Sequence, residues 1–155
     1  MLSGRRSRTM QGMSNVTDST STTIERINPS DVTEIPGIHH VVTVPSSATT
    51  VLVGGQVALD EEGGFPTTDF TEQVRLAARN LRRCLRAADA DVADLVRVRA
   101  YVVGLTPERV EQFQHGLLTE LPEWTGPATT LLGVDALFVP EALIEIDAEA
   151  VVVRA

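Results

Sequence analysis

Glu145, Asp147 and Glu149 occupy alternate positions in the run Leu143-Ile144-Glu145-Ile146-Asp147-Ala148-Glu149-Ala150. On an extended strand, side chains two apart share a face, so the carboxylates project together and Ile144, Ile146, Ala148 and Ala150 line the other side. Carboxylates crowded in a partly dry place have their proton affinity raised toward the range useful for taking and returning a proton. General acid or base work on a bound water is therefore the chemistry this segment offers, with Glu145 the first candidate. A structural reading competes with it. Arg97 and Arg99 alternate on another apolar stretch and are suited to ion-pair with the same acids. For Glu145 both readings stand; for Asp147 and Glu149 ion pairing is preferred.

The remaining reactive side chains are few. His39 and His40 are neighbours, so on a strand they face opposite ways and cannot line one pocket together. His115 falls in a helical stretch with no further ligand near it in sequence, and no metal is expected. Cys84, the single cysteine, sits within a helical pattern and reads as a small buried hydrophobe. The sequence contains no lysine, which excludes Schiff-base chemistry and a lysine-anchored pyridoxal cofactor. Glycine-rich phosphate loops and serine-histidine-aspartate signatures are absent, and no cofactor is expected.

Composition sets the outer limits. A chain of 155 residues that is 43% hydrophobic can bury one proper core. Its formal charge of −8 disfavours nucleic-acid binding, which draws its affinity from clustered cations. No apolar run has membrane-spanning length, so a soluble protein with no membrane partner is expected. Arg5-Arg6 precedes no hydrophobic stretch, which leaves an export signal unsupported and the cytoplasm as the expected location. Residues 1–23, rich in Ser, Thr and Arg, are expected to be a disordered tail, with Met10 or Met13 as alternative starts. The folded domain then covers 24–155.

The elements that must position these residues follow from pattern. Short strands are expected at Ile24–Ile27 and His39–Val44, and a more apolar one at Thr49–Val57. Asp69 opens a helix, with Glu72 as capping-box partner and Val74, Ala77, Leu81, Leu85 and Ala88 as its buried stripe. Five arginines (75, 79, 82, 83 and 86) flank that stripe, and a solvated face is the preferred reading over a nucleic-acid surface. Leu95–Val103 is a fourth strand, with Arg97, Arg99 and Tyr101 on one side. Thr106-Pro107 opens a second helix as N-cap and first helical residue. Strands at Ala128–Val134 and Leu143–Val153 complete an α+β domain with one sheet and two helices on one face. The other, charged face must meet water or another subunit.

Read together, several segments resemble the Rid superfamily of reactive-imine deaminases, also described as L-PSP endoribonuclease-like. Gly54-Gly55-Gln56-Val57 is similar to its Ser-Gly-Gln-Ile, and Pro127-Ala128-Thr129-Thr130 to its Pro-Ala-Arg-Ser/Thr. Ile144-Glu145-Ile146-Asp147-Ala148 is similar to its Ile-Glu-Ile-Glu-Ala, and Asp94 to Tyr101 to its strand after the first helix. The resemblance implies a chorismate-mutase-like fold of about six strands and a homotrimer with ligand clefts between subunits. It also implies that the last strand lies between the third and fourth, beside Arg97 and Arg99. Glu145 then stands for the water-activating glutamate. The arginine that grips a substrate carboxylate is replaced by Thr129, the aromatic of Gly-Pro-Tyr by His39, and the serine before Gly-Gln by Gly54. Gly55 would allow close approach of a ligand or of backbone, or marks a simple bulge; Gln114 stands roughly where the family carries an asparagine, and Arg99 is a stand-in for the missing arginine. Trp124 reads either as a cleft cover or as an interface aromatic. The implied function is C–N bond hydrolysis on a small molecule; the alternative is a non-catalytic ligand-binding or regulatory trimer.

Overall fold

A computed structural model describes residues 22–153. The expected tail therefore lies outside the described residues except for 22 and 23. Six strands and two helices follow in the expected order: β1 Glu25–Ile27, β2 Val41–Thr43, β3 Thr49–Gln56, α1 Phe70–Ala87, β4 Leu95–Val103, α2 Pro107–Glu120, β5 Ala128–Val134 and β6 Ile144–Val152. One 3-10 turn, Val92–Asp94, precedes β4.

The four long strands form a sheet in the order β3-β6-β4-β5, so β6 lies between the third and fourth strands. β6 runs antiparallel to both neighbours, whereas β4 and β5 are parallel, as the helical crossover through α2 requires. β1 and β2 do not extend this sheet. They pair with each other as a separate antiparallel ribbon, Glu25 opposite Thr43 and Ile27 opposite Val41. Three-residue strands carry too little pattern to declare which edge they join. The Arg26 guanidinium ties the ribbon to the body by donating to the carbonyls of Ala93 (2.9 Å) and Leu95 (3.1 Å).

Both helices pack on one face of the sheet. Val98, Ala100 and Val102 of β4 and Ile144, Ile146 and Ala148 of β6 meet Val74, Ala77, Leu81 and Leu85 of α1 and Phe113 and Leu117 of α2. Each large side chain buried there contributes roughly 1.5–3 kcal/mol. Alternation does the rest: every second residue of β4 and β6 enters this core, so Arg97, Arg99, Tyr101, Glu145, Asp147 and Glu149 are committed to the far side.

The helix starts differ slightly from expectation. The Asp69 carboxylate accepts from the Glu72 amide at 2.9 Å, but Glu72 turns its own carboxylate to Arg75 (2.8 Å), while the Asp69 amide donates to Thr67. A reciprocal capping box forms instead between Asp91 and Asp94 at the 3-10 turn. α1 and α2 touch at Gly116, where an added Cβ would stand 2.9 Å from the Thr71 carbonyl oxygen and 3.0 Å from Val74. Buried Gln73 joins two loops, donating to Thr67 O and Glu141 O and accepting from the Leu143 amide at 2.9 Å, just before β6 begins.

Candidate functional site

Register across β4 and β6 produces a three-rung ladder on the open face: Arg97 opposite Glu149, Arg99 opposite Asp147, Tyr101 opposite Glu145. The middle rung is the tightest. Arg99 Nε donates to Asp147 Oδ1 at 2.8 Å, and its Nη2 lies 3.7 Å from Glu149. Tyr101 reaches along the ladder to donate its hydroxyl to the other Asp147 oxygen at 2.9 Å. The hydrogen bond to Asp147, then its charge, pushes the Arg99 pKa up. The Tyr101 phenol is also pushed up, first by its bond to Asp147 and next by burial. Asp147 is thus a structural acid. Arg99 is committed to two carboxylates, which speaks against its availability as a stand-in for an arginine at position 129.

Glu145 is different. Among the described residues its carboxylate has no hydrogen-bond or ion-pair partner, although the residue is half-buried. Its side chain lies over Gly55 of β3, where the β3–β6 register shifts between Val53 and Gln56. An added Cβ on Gly55 would overlap the carboxylate and stand 2.8 Å from Glu145 Cγ. Within this chain the group that approaches Gly55 closely is the Glu145 side chain, at a register irregularity of β3.

The other expected residues gather elsewhere. Thr129 is in register with Val98, a core residue, so its side chain points to the helix side and not toward the acids. It lines a cavity of about 470 Å³ with Gln114 and Leu117 of α2, Leu131, Trp124 and the loop 35–38. The lining is mostly apolar. A smaller cleft of about 290 Å³ adjoins it across Ile38 and Thr129 and is lined by His39, His40, Arg97 and Thr130. Two bonds hold these walls: Trp124 Nε1 donates to Gly37 O at 2.7 Å, and His39 Nδ1 bonds to Gly126 O. A carbonyl can only accept, so the proton in this bond is on His39 Nδ1. His40 is turned to Thr33 O (2.8 Å).

One protomer therefore divides the expected constellation. Glu145, Gly55 and Arg99 occupy the open sheet face; His39, Gln114 and Thr129 surround the two cavities, and neither cavity is lined by Glu145. Sequence reasoning left open whether Arg97 or Arg99 replaces the missing arginine; Arg97 lines the smaller cleft through the non-local β5 register that brings it to Ala128. Trp124 lines the larger cavity, which is compatible with either of its readings.

Four of the five arginines of α1 (75, 79, 82 and 83) are engaged by carboxylates. Arg79 forks onto Glu120 with two 3.0 Å bonds, Arg82 meets Glu123 at 2.7 Å, and Arg83 meets Glu61 at 3.2 Å. Among the described residues no group of three or more His, Cys, Asp or Glu side chains is arranged to hold a metal ion, and no helix is long and apolar enough to cross a membrane.

A family model described as endoribonuclease L-PSP matches residues 34–152. Among solved structures, YyfB of Yersinia pestis, a Rid-family protein of unknown function, is 32% identical with a TM-score of 0.77, over 83% of this chain and 98% of that one. Rv2704 of Mycobacterium tuberculosis, from the YjgF/YER057c/UK114 family, is 26% identical with a TM-score of 0.56, over 84% and 100% of the two chains. Escherichia coli TdcF, solved with bound serine, is 19% identical with a TM-score of 0.58 over 79% and 97%, a likeness of fold alone. No curated protein matches the chain.

Proposed function

The chain belongs to the endoribonuclease L-PSP family of Rid proteins, and from that premise we propose that it is a cytoplasmic homotrimer hydrolysing a C–N bond of a small molecule at clefts between subunits. The observation that carries this reading is the unpaired Glu145 carboxylate, half-buried beside two acids that do have cationic or phenolic partners. In an imine, water adds to the C=N carbon while Glu145 takes its proton. The proton then passes to nitrogen to give a carbinolamine, whose hydroxyl proton is carried by Glu145 to the same nitrogen as the C–N bond breaks, so that ammonia leaves and a carbonyl product remains.

Two features support assembly. The charged sheet face has no second layer within the described chain, and Leu52 on that face is 75% exposed. The two halves of the expected constellation also lie on different surfaces of one protomer, so a neighbour that lays its Glu145 and Gly55 against the cavity beside Thr129 would complete the site. Phosphate-backbone binding fits poorly with a net charge of −8 and with four of the five α1 arginines already paired.

A second reading, a ligand-binding trimer without turnover, is favoured by Thr129 at the position of the resemblance's carboxylate-gripping arginine. Sedimentation equilibrium with an imine-hydrolysis assay separates the two. A trimer whose turnover disappears in Glu145→Gln supports the enzyme; a trimer that binds without turnover supports the second reading. A monomer at micromolar concentration would remove the intersubunit cleft from both.

A further inference from the structure

Charge is matched along the middle of the open sheet face, and two groups are left over. Arg99 is held by Asp147 and Glu149, and Tyr101 donates to the second Asp147 oxygen. Arg97, exposed on β4, and Glu145, half-buried on β6, have no hydrogen-bond or ion-pair partner among the described residues. One is a cation and the other an anion, yet they do not meet within a protomer. Register sets Arg97 opposite Glu149, and Glu145 opposite Tyr101, four residues further along β4. That offset is about 13 Å of strand, and the rung of Arg99 with Asp147 stands between. Apolar side chains flank the ladder on both sides. Leu52 of β3, opposite Glu149, is 75% exposed, and Leu132 of β5, opposite Tyr101, is 42% exposed. A surface that covers them also draws water from the ladder, and a buried charge without a partner is costly. Such a surface must bring an anion to Arg97 and a cation to Glu145. A second copy of this chain has both.

We propose that Arg97 of one protomer forms an ion pair with the partner's Glu145 across the subunit interface. The inference rests on the assembled reading above for its setting, and adds the contact that fixes how the copies are turned toward each other. In a closed ring each protomer gives its Arg97 to one neighbour and its Glu145 to the other, so every copy ends with both groups paired. Arg97 also lines the cleft beside Thr129 and Thr130. The pair therefore brings the partner's Glu145 to that cleft, one carboxylate oxygen held by the guanidinium and the other left open to a water. Arg97 is then a positioning residue for that carboxylate. The groups around it do not compete. Glu149, its cross-strand acid, lies 3.7 Å from Arg99, and His39 and His40 of the same cleft are turned to the carbonyls of Gly126 and Thr33.

Charge reversal read by sedimentation equilibrium of the full chain tests this without any demand for catalysis. Like charges facing each other across an interface repel, so Arg97→Glu and Glu145→Arg should each raise the trimer dissociation constant by roughly a hundredfold. The double variant Arg97→Glu/Glu145→Arg restores opposite charges and should return the constant to within about tenfold of wild type. Arg97→Lys, which keeps the charge, should assemble nearly as well as wild type. Single reversals that leave assembly unchanged would overturn the pair. So would a double variant no tighter than its weaker parent, or rescue of Arg97→Glu by Glu149→Arg in place of Glu145→Arg. If a reversal unfolds the chain by circular dichroism, the neutral variants Arg97→Gln and Glu145→Gln decide the matter. Losses in their double variant that are smaller than the sum of the two support the pair, and strictly additive losses overturn it. A wild-type monomer would overturn the assembled reading along with this inference, whereas a wild-type trimer without rescue overturns this inference alone.

Discussion

Gly55 lies directly beneath the Glu145 carboxylate, so close that a methyl group on its Cα would occupy the space the carboxylate now fills. The two residues are remote in sequence and meet because β3 and β6 are paired with a register shift just before Gln56. Glu145 is thereby held against bare backbone, while its neighbour Asp147 is held by Arg99 and Tyr101.

Gly55→Ala should separate activity from stability. The atoms that an added Cβ meets belong to the outer part of a flexible side chain, so Glu145 can swing away and the fold survives. A glycine inside a strand is itself unfavourable, and its removal offsets part of any strain. We expect a melting temperature within a few degrees of wild type and at least a tenfold loss of kcat/KM. Unchanged kcat/KM, measured on the same preparation, would show that the position of Glu145 is immaterial.

Gly116→Ala should do the opposite. There the added carbon meets the Thr71 carbonyl and Val74, backbone and branched side chain on the facing helix, and neither can move aside freely. Overpacking of this kind costs about 1–3 kcal/mol, readable as a lower urea midpoint with an unchanged slope. A variant as stable as wild type would mean that the two helices separate without cost.

Tyr101 is the single tyrosine of the chain, so alkaline absorbance titration reads it alone. Its raised pKa means that the protonated phenol is favoured by folding, chiefly through the bond to Asp147. That contribution is fully present below the ordinary phenol range near 10 and is lost as pH climbs through the higher folded value. Asp147→Asn should move the titration back toward the ordinary range. A wild-type curve already centred there would show that the hydroxyl does not hold Asp147 in solution.

Thr129→Arg tests the missing clamp. Short 2-imino acids such as 2-iminobutanoate should be poor substrates of the wild type, since their bodies fill little of the cavity and position 129 offers no fork. A bidentate charge-assisted contact is worth ~2–4 kcal/mol. The substitution should therefore raise the rate on 2-iminobutanoate by roughly one to three orders of magnitude, provided Glu145 is present. Fast wild-type hydrolysis that is insensitive to residue 129 would sink this expectation.

Much of this architecture was legible before any coordinates. The alternation in 95–103 and 143–150 assigned the buried and open faces correctly, because a strand with one side in the core must alternate. Ala128 to Val134 shows no such alternation, since both of its sides are half covered, and nothing in its letters told that Thr129 faces the helices and away from Glu145. The apposition of Gly55 with Glu145, and of Arg97 with Thr130 and His39, depends on registers between strands far apart in the chain. The ribbon of β1 and β2 was foreseen as two strands but not as a sheet of its own, because three residues carry no information about their partner.

Trp124 holds the 35–38 loop through its indole nitrogen and stands in the wall of the larger cavity. It is also the sole tryptophan among the 155 residues. All of the indole emission from this protein therefore originates at one wall of one compartment. Any molecule that enters there, or any shift of the loop it anchors, must change the polarity around that fluorophore. The protein carries its own optical probe of occupancy, and unknown ligands can be screened against the unlabelled chain by the wavelength of its light.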